Sequence, residues 1–86
     1  MFPSGNIFPS IALESSEDVG RAVRSARLAR GLRQEDLALA SGTGRRFIVD
    51  LEKGKPNLRL APTLAAMRAL GIRVVATGPA EPDGDA

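Results

Sequence analysis

The sequence predicts an all-α fold: a bundle of four to five short helices, closed by one short C-terminal β-strand at residues 72–77 suited to dimerisation. Three observations carry this. Apolar residues recur at three- and four-residue spacing in four successive segments between Val19 and Leu70, the period of a helix with one buried face. Glycine or proline punctuates the gaps, at Gly31, Gly42, Gly44, Gly54, Pro56 and Gly71. A β-branched run, "IRVVAT", follows the last helical segment directly.

Residues 1–14 read as an N-terminal arm. Pro3, Gly5 and Pro9 argue against a helix, while Phe2, Ile7, Phe8, Ile11 and Leu13 are too apolar for a wholly solvated tail. Packing on the body and packing on a second subunit both stay open. The domain proper is residues 15–71. Its first helix opens at Ser15 or Ser16, both N-cap residues by type, with Glu17 and Asp18 at the positive end of the helix dipole. Val19, Val23 and Ala26 face inward, with Ala22 and Ala29 beside them. Arg21, Arg24, Arg27 and Arg30 recur every third residue and read mostly as a solvated face. Gly31 stops the helix.

A second helix is expected over residues 34–40, burying Leu37, with small Ala38 and Ala40 allowing close approach. "SGTG", residues 41–44, is a tight turn. The third helix, residues 45–53, buries Ile48 and Leu51 and partly covers Phe47, until Gly54 and Pro56 end it. Leu58 and Leu60 anchor the following loop. The fourth helix, residues 62–70, starts with Pro62 at its first position and turns Leu64, Met67 and Leu70 inward. A lone strand leaves its backbone groups unpaired, so the strand at 72–77 calls for a partner, most simply its equivalent in a second subunit through Ile72, Val74 and Val75. Residues 78–86 form an acidic tail expected to be disordered.

Composition narrows the chemistry. Eighty-six residues make one small domain, and 43% hydrophobic with 3% aromatic content means an aliphatic core. Cysteine and histidine are both absent, which excludes disulfides, the usual zinc sites and catalysis through Cys or His. No nucleophile–base pair, phosphate loop or metal cluster is visible, and neighbouring Glu35 and Asp36 should point in different directions. Neither an enzyme nor a cofactor is expected. No apolar run approaches the roughly 18 residues of a membrane span, and the N-terminus lacks the basic and apolar regions of a secretory leader, so a cytoplasmic protein is expected.

Charge is distributed unevenly. All 12 Lys and Arg lie between Arg21 and Arg73, against four acids there (Glu35, Asp36, Asp50 and Glu52), a net +8 where the whole chain carries +2. A basic centre between acidic flanks favours a polyanionic partner over a merely solubilising surface. Two short helices joined by a glycine turn, within a four-helix body, suggest a helix-turn-helix, whose second helix enters the DNA major groove by its N-terminal residues. With Ile48 and Leu51 turned to the core, Arg45, Arg46 and Val49 fall on the opposite side and Lys53 lies one turn on. An arginine fork matches guanine O6 and N7, and Val49 suits a thymine methyl. Gly44 lets the helix end come close to DNA. An i, i+4 pair between Arg46 and Asp50 is the competing account of Arg46, although such a pair also orients it.

The stretch "VRSARLARGLRQEDLALASGTGRRFIVDLEKGKP" resembles the Xre-type, phage-repressor-like helix-turn-helix domain, the resemblance running from about Val19 to Leu70. It implies that Gln34 binds the DNA backbone and braces the recognition helix. It also implies that Glu52, within "LEKGKP", is structural and reaches a first-helix arginine such as Arg27. Lys55, just past the third helix, is expected to contact phosphate. Arg33 and Gly44 stand where Thr and Ser are common, which weakens capping and the phosphate contacts there. The longer stretch "RRFIVDLEKGKPNLRLAPTLAAMRALGIRVV" is similar to HipB-type antitoxins. That similarity implies a homodimer with paired C-terminal strands, binding to double-stranded operator DNA with autorepression, and capture of a HipA-like kinase toxin. A free-standing Xre-type repressor without a toxin partner is the alternative.

Overall fold

A computed structural model of the chain describes residues 10–79, which form four helices: α1 (Ser16–Ala29), α2 (Gln34–Ser41), α3 (Arg45–Glu52) and α4 (Leu60–Ala69). Local chemistry sets their limits. Ser15 is extended and its hydroxyl accepts the Asp18 N–H at 3.0 Å, capping α1. The Asp18 carboxylate accepts the Glu14 N–H at 2.9 Å, and this bond, ahead of neighbouring Arg21, holds its carboxyl below the usual carboxylate range. The turn after α2 is tied by Thr43 N–H to Ala38 C=O at 2.9 Å. The Ser41 and Thr43 hydroxyls lie 2.9 Å apart above the Leu37 carbonyl.

The core is aliphatic, as the composition requires: Val23, Leu37, Ala38, Ile48, Leu51, Ala66, Met67 and Leu70 are buried. Leu13, Val19, Ala26, Phe47, Leu58 and Ile72 pack around them half-covered. Helix α3 packs on α1 and α2, and α2 also packs on α4. Gly20 sets the first of these contacts. A Cβ at that position would lie 2.6 Å from the Leu51 carbonyl oxygen and 2.8 Å from that of Glu52, so α1 rests directly on the backbone of the last turn of α3. One turn earlier, Ser16 Oγ donates to the Gly54 carbonyl at 2.8 Å. Gly54 itself has φ +80 and lies against the Glu17 backbone, which a side chain would not permit.

Several expectations need correction. Helix α4 begins at Leu60, so Pro62 is its third residue; the first turn makes no intrahelical N–H bonds and tolerates proline throughout. Leu60 is 68% exposed and anchors nothing, whereas Ala66 is fully buried. Leu64 is only half-buried. Ala40 is exposed, and it is Ala38 that allows close packing. Helix α3 ends at Glu52, leaving Lys53 as its cap. Arg27 is buried, not solvated.

The largest correction concerns residues 72–77, which form no strand. Ile72 packs partly on the core, but Val74 and Val75 are 48% and 69% exposed. The described residues offer this segment no ladder to join, so β-branched composition alone does not make it a strand. The arm residues Phe2, Ile7 and Phe8 and the acidic tail residues Glu81, Asp83 and Asp85 lie outside the described residues.

Gly20→Ala tests the α1–α3 contact. Alanine gains about 1 kcal/mol of helix propensity, but overpacking against backbone that cannot yield costs about 3 kcal/mol. A net loss near 2 kcal/mol is expected in urea denaturation.

Candidate nucleic-acid interface

The surface begins with a buried arginine. Arg27, on α1, donates from Nε to Glu52 Oε2 at 2.6 Å and from Nη2 to Glu52 Oε1 at 2.8 Å, while Nη1 donates to the Leu32 carbonyl at 2.8 Å. Its side chain is 9% exposed and that of Glu52 is 4% exposed. The planar fork thus meets the carboxylate through two bonds, and donating them to Glu52 raises the Arg27 pKa further above its already high value. Gln34 Nε2 adds a third contact to Glu52 Oε1, at 3.3 Å. Three helices therefore converge on one carboxylate at the end of α3. Glu52 reaches Arg27 and Gln34 braces α3, as the family resemblance implied.

Arg33 precedes α2 in the cap position. Arginine has no acceptor, so only half of a capping box forms: the Asp36 carboxylate accepts the Arg33 N–H at 2.8 Å. The Arg33 side chain folds back on Asp36 at 3.3 Å and on Glu35 at 3.3 Å. Its hydrogen bond, then the one from its backbone, holds Asp36 below the usual carboxylate range. The two acids that were expected to diverge thus converge on one guanidinium. An open depression of about 420 Å³ runs from these residues to Arg45, bordered by Leu28, Leu32, Gln34 and Glu35.

Helix α3 opens without a side-chain cap. Gly44 is extended, and a Cβ on it would meet nothing within 4 Å. Its first two residues, Arg45 and Arg46, are exposed cations at the positive end of the dipole, where acids are favoured. Arg45 has no ion-pair or hydrogen-bond partner among the described residues. Arg46 Nε approaches Asp50 Oδ1 at 3.4 Å, and Lys55 Nζ approaches Asp50 Oδ2 at 3.6 Å. Val49 is half-buried and Lys53 exposed, while Ile48 and Leu51 face the core as expected. Gly44, Arg45 and Arg46 therefore sit together at one end of α3. Lys53 and Lys55 lie at the other, and Arg33 and Gln34 stand across the depression. Ile72, Val74 and Val75 belong to the segment after α4.

The helix-turn-helix family pattern matches residues 23–75, well over half of the chain. The chain belongs to the helix-turn-helix family. It is a sequence-specific DNA-binding transcriptional regulator of that type. It is 39% identical, over 69 residues, to an uncharacterised HTH-type transcriptional regulator, y4mF, of Sinorhizobium fredii; the match covers 80% of this chain and 91% of that protein. Among solved structures it is similar to the restriction-modification controller protein C.AhdI from Aeromonas hydrophila. There the TM-score is 0.61 at 36% identity, over 67% of this chain and 84% of that one. Within the described residues no helix is long and apolar enough to cross a membrane.

Residue pattern alone missed two features of this helix-turn-helix surface. Arg27 stands four residues after Val23, on the same stripe that packs inward, and an arginine at that register was the available signal. The Lys55–Asp50 contact had no such signal, because Lys55 lies beyond the helix.

Glu52→Ala would leave Arg27 buried without its partner, and the expected loss of about 3–5 kcal/mol in chemical denaturation is a large share of what holds a small domain together. Gln34→Ala should cost only about 0.5–1.5 kcal/mol, since it removes one hydrogen bond at the half-buried edge of the network.

Proposed function

We propose that the chain binds a two-fold symmetric operator as a homodimer and represses transcription, without enzymatic activity, reading the major groove with the first turn of α3. The observation that supports this most is the start of that helix: two exposed arginines on an uncapped N-terminus, on a helix whose far end is fixed by the buried Arg27–Glu52 pair. Cations there oppose the helix dipole, and an anionic partner offsets that cost. Arg45 and Arg46 take base edges, Val49 adds an apolar contact, and Arg33, Gln34, Lys53 and Lys55 meet phosphates. Recognition helices about 34 Å apart, or a multiple of that spacing, fit successive major-groove faces of one duplex.

The finer reading is a HipB-type antitoxin that autorepresses its operon and holds a HipA-like kinase toxin. It is supported by the resemblance of residues 45–75 and by the exposed valines at 74 and 75, which offer a second chain an uncovered β-branched segment. A toxin that leaves the operon repressed must leave Arg45 and Arg46 free. Its contacts would then fall on the outer side of α1, on α4 near Arg68, or on the acidic tail. The free-standing repressor is the reading that remains if no such partner exists.

Arg45→Ala or Arg46→Ala should lose roughly 1–3 kcal/mol of discrimination between operator and altered operator in a binding titration. Lys55→Ala should weaken all duplexes alike and flatten the salt dependence. Retention of full selectivity by both arginine variants would remove the groove-reading role. Co-expression with the neighbouring gene product should give a complex that still binds operator, and failure to co-purify would leave the free-standing repressor.

A further inference from the structure

Asp50 occupies a surface where its charge has the wrong sign. It lies on α3 between Arg46 and Lys55, on a helix proposed to meet phosphates. We propose that Asp50 is a positioning residue that sets base discrimination by Arg46, and that it lowers affinity for DNA of every other sequence. The proposal rests on the groove-reading role of α3.

The geometry around Arg46 is the first support. Its guanidinium approaches Asp50 through Nε, at 3.4 Å. Nη1 and Nη2 make no hydrogen bond among the described residues, and Nε is the nitrogen nearest the carboxylate. Those two terminal nitrogens are the end of the fork that presents parallel N–H bonds to guanine O6 and N7. A carboxylate on Nε therefore restrains the guanidinium and leaves its reading edge available.

The second support is which partner is fixed. The Asp50 side chain is 15% exposed, against 81% for Arg46 and 56% for Lys55. Lys55 is tied to the same residue twice, because its backbone N–H also donates to the Asp50 carbonyl at 3.1 Å. The carboxylate is thus the anchored member, and the two long side chains are organised around it. Restraining Arg46 before binding reduces the side-chain entropy lost on contact, a gain realised only where the base accepts the fork.

The third support is electrostatic. A negative charge among Arg45, Arg46, Lys53 and Lys55 repels every phosphate, and it engages a lysine that would otherwise neutralise one. Those penalties are the same for all sequences. The orientation of Arg46 favours one. Asp50 thereby exchanges general affinity for discrimination, the pattern expected of a repulsive element that serves specificity. An ordinary surface i, i+4 pair would stabilise the helix slightly and do neither.

The test uses the full chain, with Asp50→Asn, Arg46→Ala and the double variant. The probes are an operator duplex selected by the wild-type protein from a randomised pool, the same duplex with the contacted guanine replaced, and an unrelated duplex, each titrated across a salt series. Asp50→Asn should bind the unrelated duplex several-fold more tightly, with a salt slope steeper by about 0.9, one additional phosphate contact. Its preference for the guanine should fall about tenfold, within the range of one bidentate base contact. Its thermal midpoint should stay near that of the wild type. In the Arg46→Ala background, Asp50→Asn should change guanine preference no further, which identifies the path of the effect. Equal weakening on all duplexes, or unchanged guanine preference in a protein where Arg46→Ala abolishes it, would overturn the role of Asp50. Full guanine preference in Arg46→Ala would instead overturn the reading of Arg46 on which this proposal stands.

Discussion

The paired bonds between Arg27 and Glu52 couple the helix that carries the proposed reading residues to the rest of the domain. Glu52 is the last residue of α3, Arg27 lies near the end of α1, and Gln34 joins from the first turn of α2. A buried charge pair contributes little net stability when its desolvation is counted, but breaking it is costly. Its geometric effect is larger. A planar fork fixes the carboxylate in both distance and plane, so α3 cannot rotate or slide relative to α1 without losing two bonds at once. The Gly20 contact works on the same joint, bringing α1 against the carbonyls of Leu51 and Glu52.

That fixed C-terminal end explains how the other end of α3 tolerates poor local chemistry. Gly44 gives no cap, no acid occupies the first turn, and two arginines face the dipole with the wrong sign. An isolated eight-residue helix of this kind would be marginal in water. Here Ile48 and Leu51 are buried and Glu52 is clamped, so tertiary packing holds the segment helical. Local rules are broken where the surface must meet an anion, and the stability comes from the opposite face and the far end. Conflict of this kind between local preference and fold is typical of functional surfaces.

Charge on the exposed side is organised more closely than a count of cations suggests. Arg33 is drawn back by Glu35 and Asp36, whereas Asp50 places itself between Arg46 and Lys55 and leaves Arg45 unengaged. Cations that look equivalent in sequence therefore differ in what a phosphate or a base must displace to reach them. Arg45 is available at once, Arg46 through the open end of its fork, and Arg33 only in competition with two carboxylates.

The sequence by itself determined the four helices, because helical period, the one serine cap at Ser15 and glycine stops are encoded within a few residues of where they act. It placed Ile48 and Leu51 inward and Arg45 and Arg46 outward on the same grounds, since an eight-residue helix with two apolar anchors has one orientation. Only the tertiary structure decided what depends on distant partners. Arg27 is buried because Glu52, twenty-five positions away, supplies the carboxylate that makes burial tolerable. Gly20 matters because the end of α3 arrives against it. Residues 72–77 form no strand because a β-ladder requires a second backbone, and none of the described residues brings one alongside.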